Sequence, residues 1–301
     1  MDFKKMILWT ILPFITVLSS IAQESNSMLF SFGVITDVQY VDAETAGTRH
    51  YRSSPAKLTA IVDSLNTQKV DFVIHLGDLI DRDFASFDPL VKILGNLTMP
   101  VHHVLGNHDF SVKQEQIKTV PDKLGMPSRY YAINHQGIRF IVLDGNELSI
   151  YGQKEGSKAH KKASNKLELL KSAGAKNAQA WNGGLSPKQI KWLKSQLDDA
   201  SKKNEKVIVN CHFPLLPAGD AHNLWNDQEV KALLASYPNV LAWFNGHNHK
   251  GGYHQADGIH YVNFKGIVEK TDAPWAVVEV YADHLIINGH GTEPDRLLEQ
   301  Y

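Results

Sequence analysis

The chain has 301 residues, 43% of them hydrophobic and 21% charged, a composition that excludes a disordered or collagen-like polymer and allows one sizeable core. Its formal net charge of −1 leaves no global field to draw it to nucleic acid or an anionic membrane. A single cysteine, Cys211, excludes an intramolecular disulfide, and 15 histidines are the one unusual count.

The amino terminus reads as a secretory signal: Met1-Asp2-Phe3-Lys4-Lys5 is a basic start, Met6 to Val17 is apolar, and Ser20-Ile21-Ala22 supplies small residues for cleavage. Pro13 interrupts the apolar run, which falls short of the roughly 18–20 residues of a spanning helix. Cleavage after about Ala22 is therefore expected. That would leave residues 23–301 as an exported domain, periplasmic or secreted, with no stable membrane association.

From there, short β-branched runs alternate with helical stretches. Phe30–Thr36, Phe72–Leu76, Val101–Leu105, Ile138–Leu143 and Lys206–Cys211 read as strands. Between them, Ser53–Asn66 places Leu58, Ile61, Val62 and Leu65 on one helical face, and Phe87–Leu97 is a second helix. Ser186–Ala200 is a helix with Ser186-Pro187 as cap and first turn, and Asp227–Ser236 is another. The last quarter turns to strands: Val240–Phe244, His260–Phe264, Trp275–Tyr281 and His284–Asn288. Such alternation, ending in a β-rich half, argues for an α/β protein of stacked sheets flanked by helices. Residues 145–184 are the least regular stretch. Within them Tyr151–Lys176 carries seven lysines against two glutamates, which suits a solvated, partly helical insertion or a basic flap over an anionic substrate.

Five short segments each follow a strand. They are Asp37-Val38-Gln39, Gly77-Asp78, Gly106-Asn107-His108-Asp109, Cys211-His212 and Gly246-His247-Asn248-His249. Singly, each could be a turn, a cap or a hydrogen-bonded core histidine. Together they put oxygen and imidazole donors at five strand ends, where α/β sheets open their ligand crevice. Carboxylates, carboxamides and imidazoles without thiolate suit Mn, Fe, Co or Zn in sites of more than four ligands. The number of donors is too large for one tetrahedral ion and suits two ions bridged by a carboxylate. Such a pair clamps the oxygens of an in-line phosphoryl displacement, and water held by it ionises near neutral pH.

The ordered set Asp-x-Gln, Gly-Asp, Gly-Asn-His-Asp, His and Gly-His-x-His resembles the calcineurin-like metallophosphoesterase superfamily, from about Phe30 to Asn288. Asp37-Val38-Gln39-Tyr40, Arg49-His50-Tyr51-Arg52-Ser53-Ser54, Gly246-His247-Asn248-His249-Lys250-Gly251-Gly252 and Gly266-Ile267-Val268-Glu269 look most like its manganese-dependent ADP-ribose/CDP-alcohol diphosphatase group. The resemblance implies a four-layer α-β-β-α sandwich of two mixed sheets flanked by helices. It also implies that Asp37, Gln39 and His249 hold one ion, that Asn107, His212 and His247 hold the other, and that Asp78 bridges them. His108 would face the scissile phosphate, with Asp109 orienting its imidazole. Most of the superfamily has His where this chain has Gln39, a harder and weaker ligand, so Mn²⁺ is expected to be preferred over Zn²⁺.

The expected substrate is a small anionic nucleotide, such as ADP-ribose or a CDP-alcohol, attacked at phosphorus by a metal-held hydroxide. A broader phosphodiesterase or phosphomonoesterase, cyclic nucleotides included, is the alternative. A non-catalytic binding module would be expected to have lost ligands, and no basic stripe with interleaved aromatics suggests a nuclease. For substrate contacts, Arg52 is a bidentate phosphate donor in waiting. Tyr51, Trp181, Trp225, Tyr253 and Phe264 are candidates for stacking on a base, whereas His75, His102, His103 and Cys211 read as packing residues.

Overall fold

Two six-stranded sheets stack face to face in the computed structural model, which describes residues 27–269 and 272–300. The signal-like segment and its cleavage point after Ala22 lie outside the described residues. Among those described, no helix is long and apolar enough to cross a membrane.

The first sheet contains β1 (Phe30–Ile35), β2 (Phe72–His75), β3 (Val101–His103), β10 (Trp275–Val280), β11 (His284–His290) and β12 (Arg296–Glu299), in the order β12-β11-β10-β1-β2-β3. The second contains β4 (Tyr131–His135), β5 (Ile138–Val142), β6 (Lys206–Asn210), β7 (Val240–Asn245), β8 (Gly252–Ala256) and β9 (Ile259–Asn263), in the order β4-β5-β6-β7-β9-β8. Strands β1, β2 and β3 run parallel, as do β5, β6, β7 and β9, while the outer partners are antiparallel. Both sheets are therefore mixed.

Every residue of β1, β2, β5 and β7 is buried, as expected of strands covered on both faces. Between the sheets, Phe32 stacks on Phe72 with centroids 5.2 Å apart, and the edge of Phe140 meets both rings at 5.2 and 5.1 Å. Helix α1 (Ser54–Gln68) buries the predicted Leu58, Ile61, Val62 and Leu65 stripe in the core of the first sheet, beside α2 (Phe87–Leu94). It approaches so closely that a Cβ on Gly33 would lie 2.6 Å from Leu65 Cδ2. A short helix, α3 (Val120–Lys123), follows β3. On the second sheet, α5 (Pro187–Lys202) and α6 (Asp227–Ala235) bury Leu193, Leu197, Val230 and Leu234 with Val207, Val209 and Trp243. The Ser186 hydroxyl caps α5 by accepting from the Gln189 amide, as the sequence predicts. The layers are thus helix, sheet, sheet, helix.

The lysine-rich insertion is ordered around α4 (Lys158–Ser172), capped by Ser157 and packed through Ala163 and Leu167 against Trp225. Three edge or outer strands escape sequence reading. β4, β8 and β12 are mostly half-buried or exposed, so they lack the apolar run by which the central strands are recognised.

Candidate metal centre

The donors predicted from the sequence meet where five parallel strands end: β1, β2 and β3 in one sheet, β6 and β7 in the other. Backbone bonds lace these loops together, from Asp37 N to Gly77 O, Gln39 N to Asp78 O, and Gly246 N to His212 O. The glycines of the motifs make room for this approach. A Cβ on Gly106 would lie 2.1 Å from Asp78 Oδ1, and one on Gly246 would lie 2.4 Å from Asp37 Oδ2. Asp37, Gln39, Asp78 and His247 all have left-handed backbone, with φ of 51°, 43°, 58° and 70°. Non-glycine residues adopt that conformation at a cost of order 1–3 kcal/mol, which surrounding structure must offset. Here the strain aims four side chains at one point.

One group of donors surrounds Asp78. His212 Nε2 lies 3.3 Å from Asp78 Oδ2, 3.2 Å from Asn107 Oδ1 and 3.2 Å from His247 Nδ1. A donor atom from each of Asp78, His212 and His247 lies within 4.8 Å of the other two, close enough to share a cation. The second group surrounds Asp37: His249 Nε2 is 3.2 Å from Asp37 Oδ1 and 3.1 Å from the Gln39 carboxamide, which itself lies 3.0 Å from Asp78 Oδ2. Gln39 Oε1 is a buried oxygen without a hydrogen-bond donor, and buried Asp37 Oδ1 has only the 3.2 Å contact with His249 Nε2. An orphaned buried acceptor is costly unless a cation completes it. A half-turn of the Gln39 amide would bring its oxygen to the inner position.

The imidazoles are also preset for ligation. His212 Nδ1–H donates to Leu76 O at 2.8 Å, which leaves Nε2 for an ion. His249 Nδ1 meets Glu269 Oε1 at 2.5 Å, again leaving Nε2. His247 is reversed: Nε2–H donates to Asn182 Oδ1 at 2.9 Å, which frees Nδ1. Asn182 is locked in the accepting orientation because its amide nitrogen donates to Asn177 O and Ala221 O. Each tautomer is set by a partner on the nitrogen that faces away from the ion. Burial disfavours charge on His212 and His249, yet Asp78 and Asp37 outweigh it and push both pKa values up to about 9. The site attracts positive charge, and the donor set suits divalent cations.

A model of the calcineurin-like phosphoesterase family matches residues 30–251. The chain belongs to that family. It is 32% identical to the manganese-dependent ADP-ribose/CDP-alcohol diphosphatase of Bos taurus, over 91% of this chain and 95% of that one. It is also 32% identical to the Arabidopsis thaliana protein of the same name, over 87% and 94% respectively. Among solved structures, a dimetal phosphatase from Danio rerio superposes with a TM-score of 0.82 at 27% identity, covering 91% of this chain and 100% of that one. Like other calcineurin-like phosphoesterases, the chain is a metal-dependent hydrolase.

Around the phosphoesterase centre, some sequence expectations are corrected. Asp109 does not orient His108. Successive residues of a 3₁₀ turn point about 120° apart, so in the His108–Phe110 turn Asp109 faces inward while His108 faces the cavity. Asp109 accepts from the amides of Gly106, Asp78 and Leu79 at 2.9, 3.1 and 2.8 Å, which holds the Asp78 loop in its strained shape. The residue that meets His108 is Asp81, whose carbonyl and carboxylate lie 3.0 and 3.3 Å from Nδ1.

The substrate-contact expectations also move. Arg52 points away from the cavity into ion pairs with Asp42 and Glu44. Tyr51 is buried with Val41 and Val268, and Tyr253 lies on β8 against His260. None of the three lines the cavity over the metal ligands. Arg49 and His222 do, and of the five aromatic candidates Trp181 does, its ring 5.1 Å from His222 and 5.2 Å from His247. Trp225 and Phe264 are core residues. So is Cys211, whose thiol is pushed up to about 12 by burial.

The sequence gives no sign of Asp81 or Asn182, and it offers Glu269 only within the Gly266–Glu269 run that carries the resemblance, with no link to His249. Asp81 and Asn182 lie in loops and Glu269 ends a short 3₁₀ turn, each remote in sequence from its histidine, and only folding reveals the pairing. Lys57, another buried partner, donates to Ile267 O and Val268 O and so steadies the loop that carries Glu269.

Proposed function

We propose that the protein is a manganese-dependent hydrolase of the phosphoanhydride bond in nucleoside diphosphate compounds of the ADP-ribose and CDP-alcohol type. The observation that carries this reading is the two-part donor set, with Asp37, Gln39 and His249 on one side, Asn107, His212 and His247 on the other, and Asp78 between them. Relatives named for that activity align over nine-tenths of the chain.

Divalent ions, which Asp37, Gln39, Asp78, Asn107, His212, His247 and His249 would hold, would supply Lewis-acid chemistry that lowers the pKa of water and neutralises phosphoryl charge. The chain's own residues do the rest. His108 lines the cavity with Nδ1 directed to Asp81, so Nε2 is the nitrogen available to donate a proton to a leaving phosphate oxygen. Trp181 and His222 close one wall of the cavity, and Asp109 keeps the Asp78 loop in place. The carboxamide at Gln39 favours Mn²⁺ over Zn²⁺. The signal-like amino terminus extends the proposal to an exported enzyme acting on extracytoplasmic nucleotides.

A panel assay on metal-stripped, manganese-reconstituted protein tests the reading. ADP-ribose and CDP-choline should be cleaved in preference to cyclic AMP and p-nitrophenyl phosphate. Clear turnover of the latter two with none of ADP-ribose would establish the broader phosphodiesterase or phosphomonoesterase instead.

A further inference from the structure

The cavity over the metal ligands, about 410 Å³, adjoins a second lobe of about 740 Å³. The two share Arg49, His222, His247 and His249. Arg49, His247 and His249 thus face both spaces, so a group linked to a phosphoryl held beside the two histidines has the second lobe within reach past Arg49. That lobe is cationic in effect. Its carboxylates are engaged, Glu269 with His249 Nδ1 and Asp220 with His222 Nδ1 at 2.8 Å. Lys250 and Lys265 have no ion pair among the described residues, and Lys265 is steadied by the Thr292 carbonyl.

Arg49 occupies the junction and is only loosely held. Its Nη1 is 3.9 Å from Asp81 Oδ1 and its Nε is 3.9 Å from Glu269 Oε1, whereas Arg52 Nε closes on Asp42 to 2.6 Å. The guanidinium is oriented by two carboxylates, but its donors are not consumed by them. A planar fork of free donors is the geometry that binds a phosphate bidentately. We propose that the second lobe is a subsite for the phosphate that is not attacked and for the hydroxyl-rich or anionic arm it carries, with Arg49 selecting two linked phosphates over one. The proposal rests on the diphosphatase reading above and assigns the residues that would confer that specificity. The lobe's volume exceeds the need of a phosphate alone and is within the range of pockets that hold a sugar-sized group.

Calorimetry on the manganese-loaded protein tests the subsite without turnover, using α,β-methylene-ADP and AMP as probes. The wild type should bind the linked-phosphate probe more tightly. Arg49→Ala should weaken that probe about tenfold to a hundredfold, the loss of one charge-assisted contact, and weaken AMP at least tenfold less. Arg49→Lys, which keeps the charge without the fork, should fall between. Lys250→Glu reverses an exposed charge and should also weaken the linked-phosphate probe more than AMP. Equal losses for both probes would assign Arg49 to holding Asp81 and Glu269 and would overturn the subsite, as would no loss at all. ADP-ribose turnover is scored separately. Its absence with the calorimetric preference intact removes the diphosphatase reading and supports the subsite, whereas turnover without the preference removes the subsite.

Discussion

Replacing Glu269 by Gln should weaken one of the two metal positions and spare the other. The Glu269 carboxylate meets His249 Nδ1 at 2.5 Å, and that hydrogen bond is the main reason its pKa is lowered to about 2. An ionised acceptor on Nδ1–H makes Nε2 a better donor to an ion. A hydrogen bond to a charged group contributes about 1.5–3 kcal/mol, against about 0.5–1.5 for a neutral one. The exchange of Glu for Gln therefore costs on the order of 1–1.5 kcal/mol, or about tenfold in affinity. Glu269→Ala removes the partner altogether, and outer partners of metal-bound histidines are worth about 10–100-fold. Glu269 is partly exposed and ends a three-residue 3₁₀ turn outside the sheets, so the fold should tolerate both changes. Manganese titration of stripped protein, followed by calorimetry or electron paramagnetic resonance, should resolve one weakened and one unchanged site. Equal weakening of both, or no change in Glu269→Ala, would refute the assignment of His249 and Glu269 to a single ion.

Four further outcomes follow from the same geometry. His108→Ala should lower kcat by about 10²–10⁴-fold with metal content unchanged; elemental analysis showing lost metal would instead make His108 a ligand. Gly106→Ala forces a Cβ to within 2.1 Å of Asp78 Oδ1, so a melting experiment should show a destabilisation of at least about 1–3 kcal/mol together with metal loss. Gln39→His should move the activity of stripped protein from Mn²⁺ toward Zn²⁺, and an unchanged metal ranking would discount the carboxamide as its cause. His103 gives a pH test away from the centre. Burial, and secondarily His102, holds its pKa down to about 4, while the unfolded chain titrates near 6.5. The unfolded state thus binds the extra proton between these values. The stabilisation is present above about pH 6.5 and is lost toward pH 4, by up to about 3 kcal/mol. Denaturant midpoints at pH 7.5 and 4.5 should differ less in His103→Asn than in the wild type.

Much of this protein was legible without coordinates. Donor residues at strand ends pointed to the seven side chains that the fold brings together, because metal chemistry restricts side-chain types and α/β sheets restrict where they lie. The central strands and the capped helix from Pro187 were readable for a similar reason: burial on both faces leaves continuous apolar runs, and Ser-Pro starts a helix. Edge strands such as β8 went unseen, since half-exposed residues carry no such pattern.

What only the tertiary structure decided is which partner stands behind each histidine and which cation faces the cavity. Arg49 and Arg52 are three residues apart and chemically identical, yet one lines the cavity and the other pairs with Asp42 and Glu44. Asn182 and Glu269 reach their imidazoles from 65 and 20 residues away. Residue type and strand position are local properties and survive in the sequence. The direction of a side chain on a loop depends on neighbours that only folding brings near.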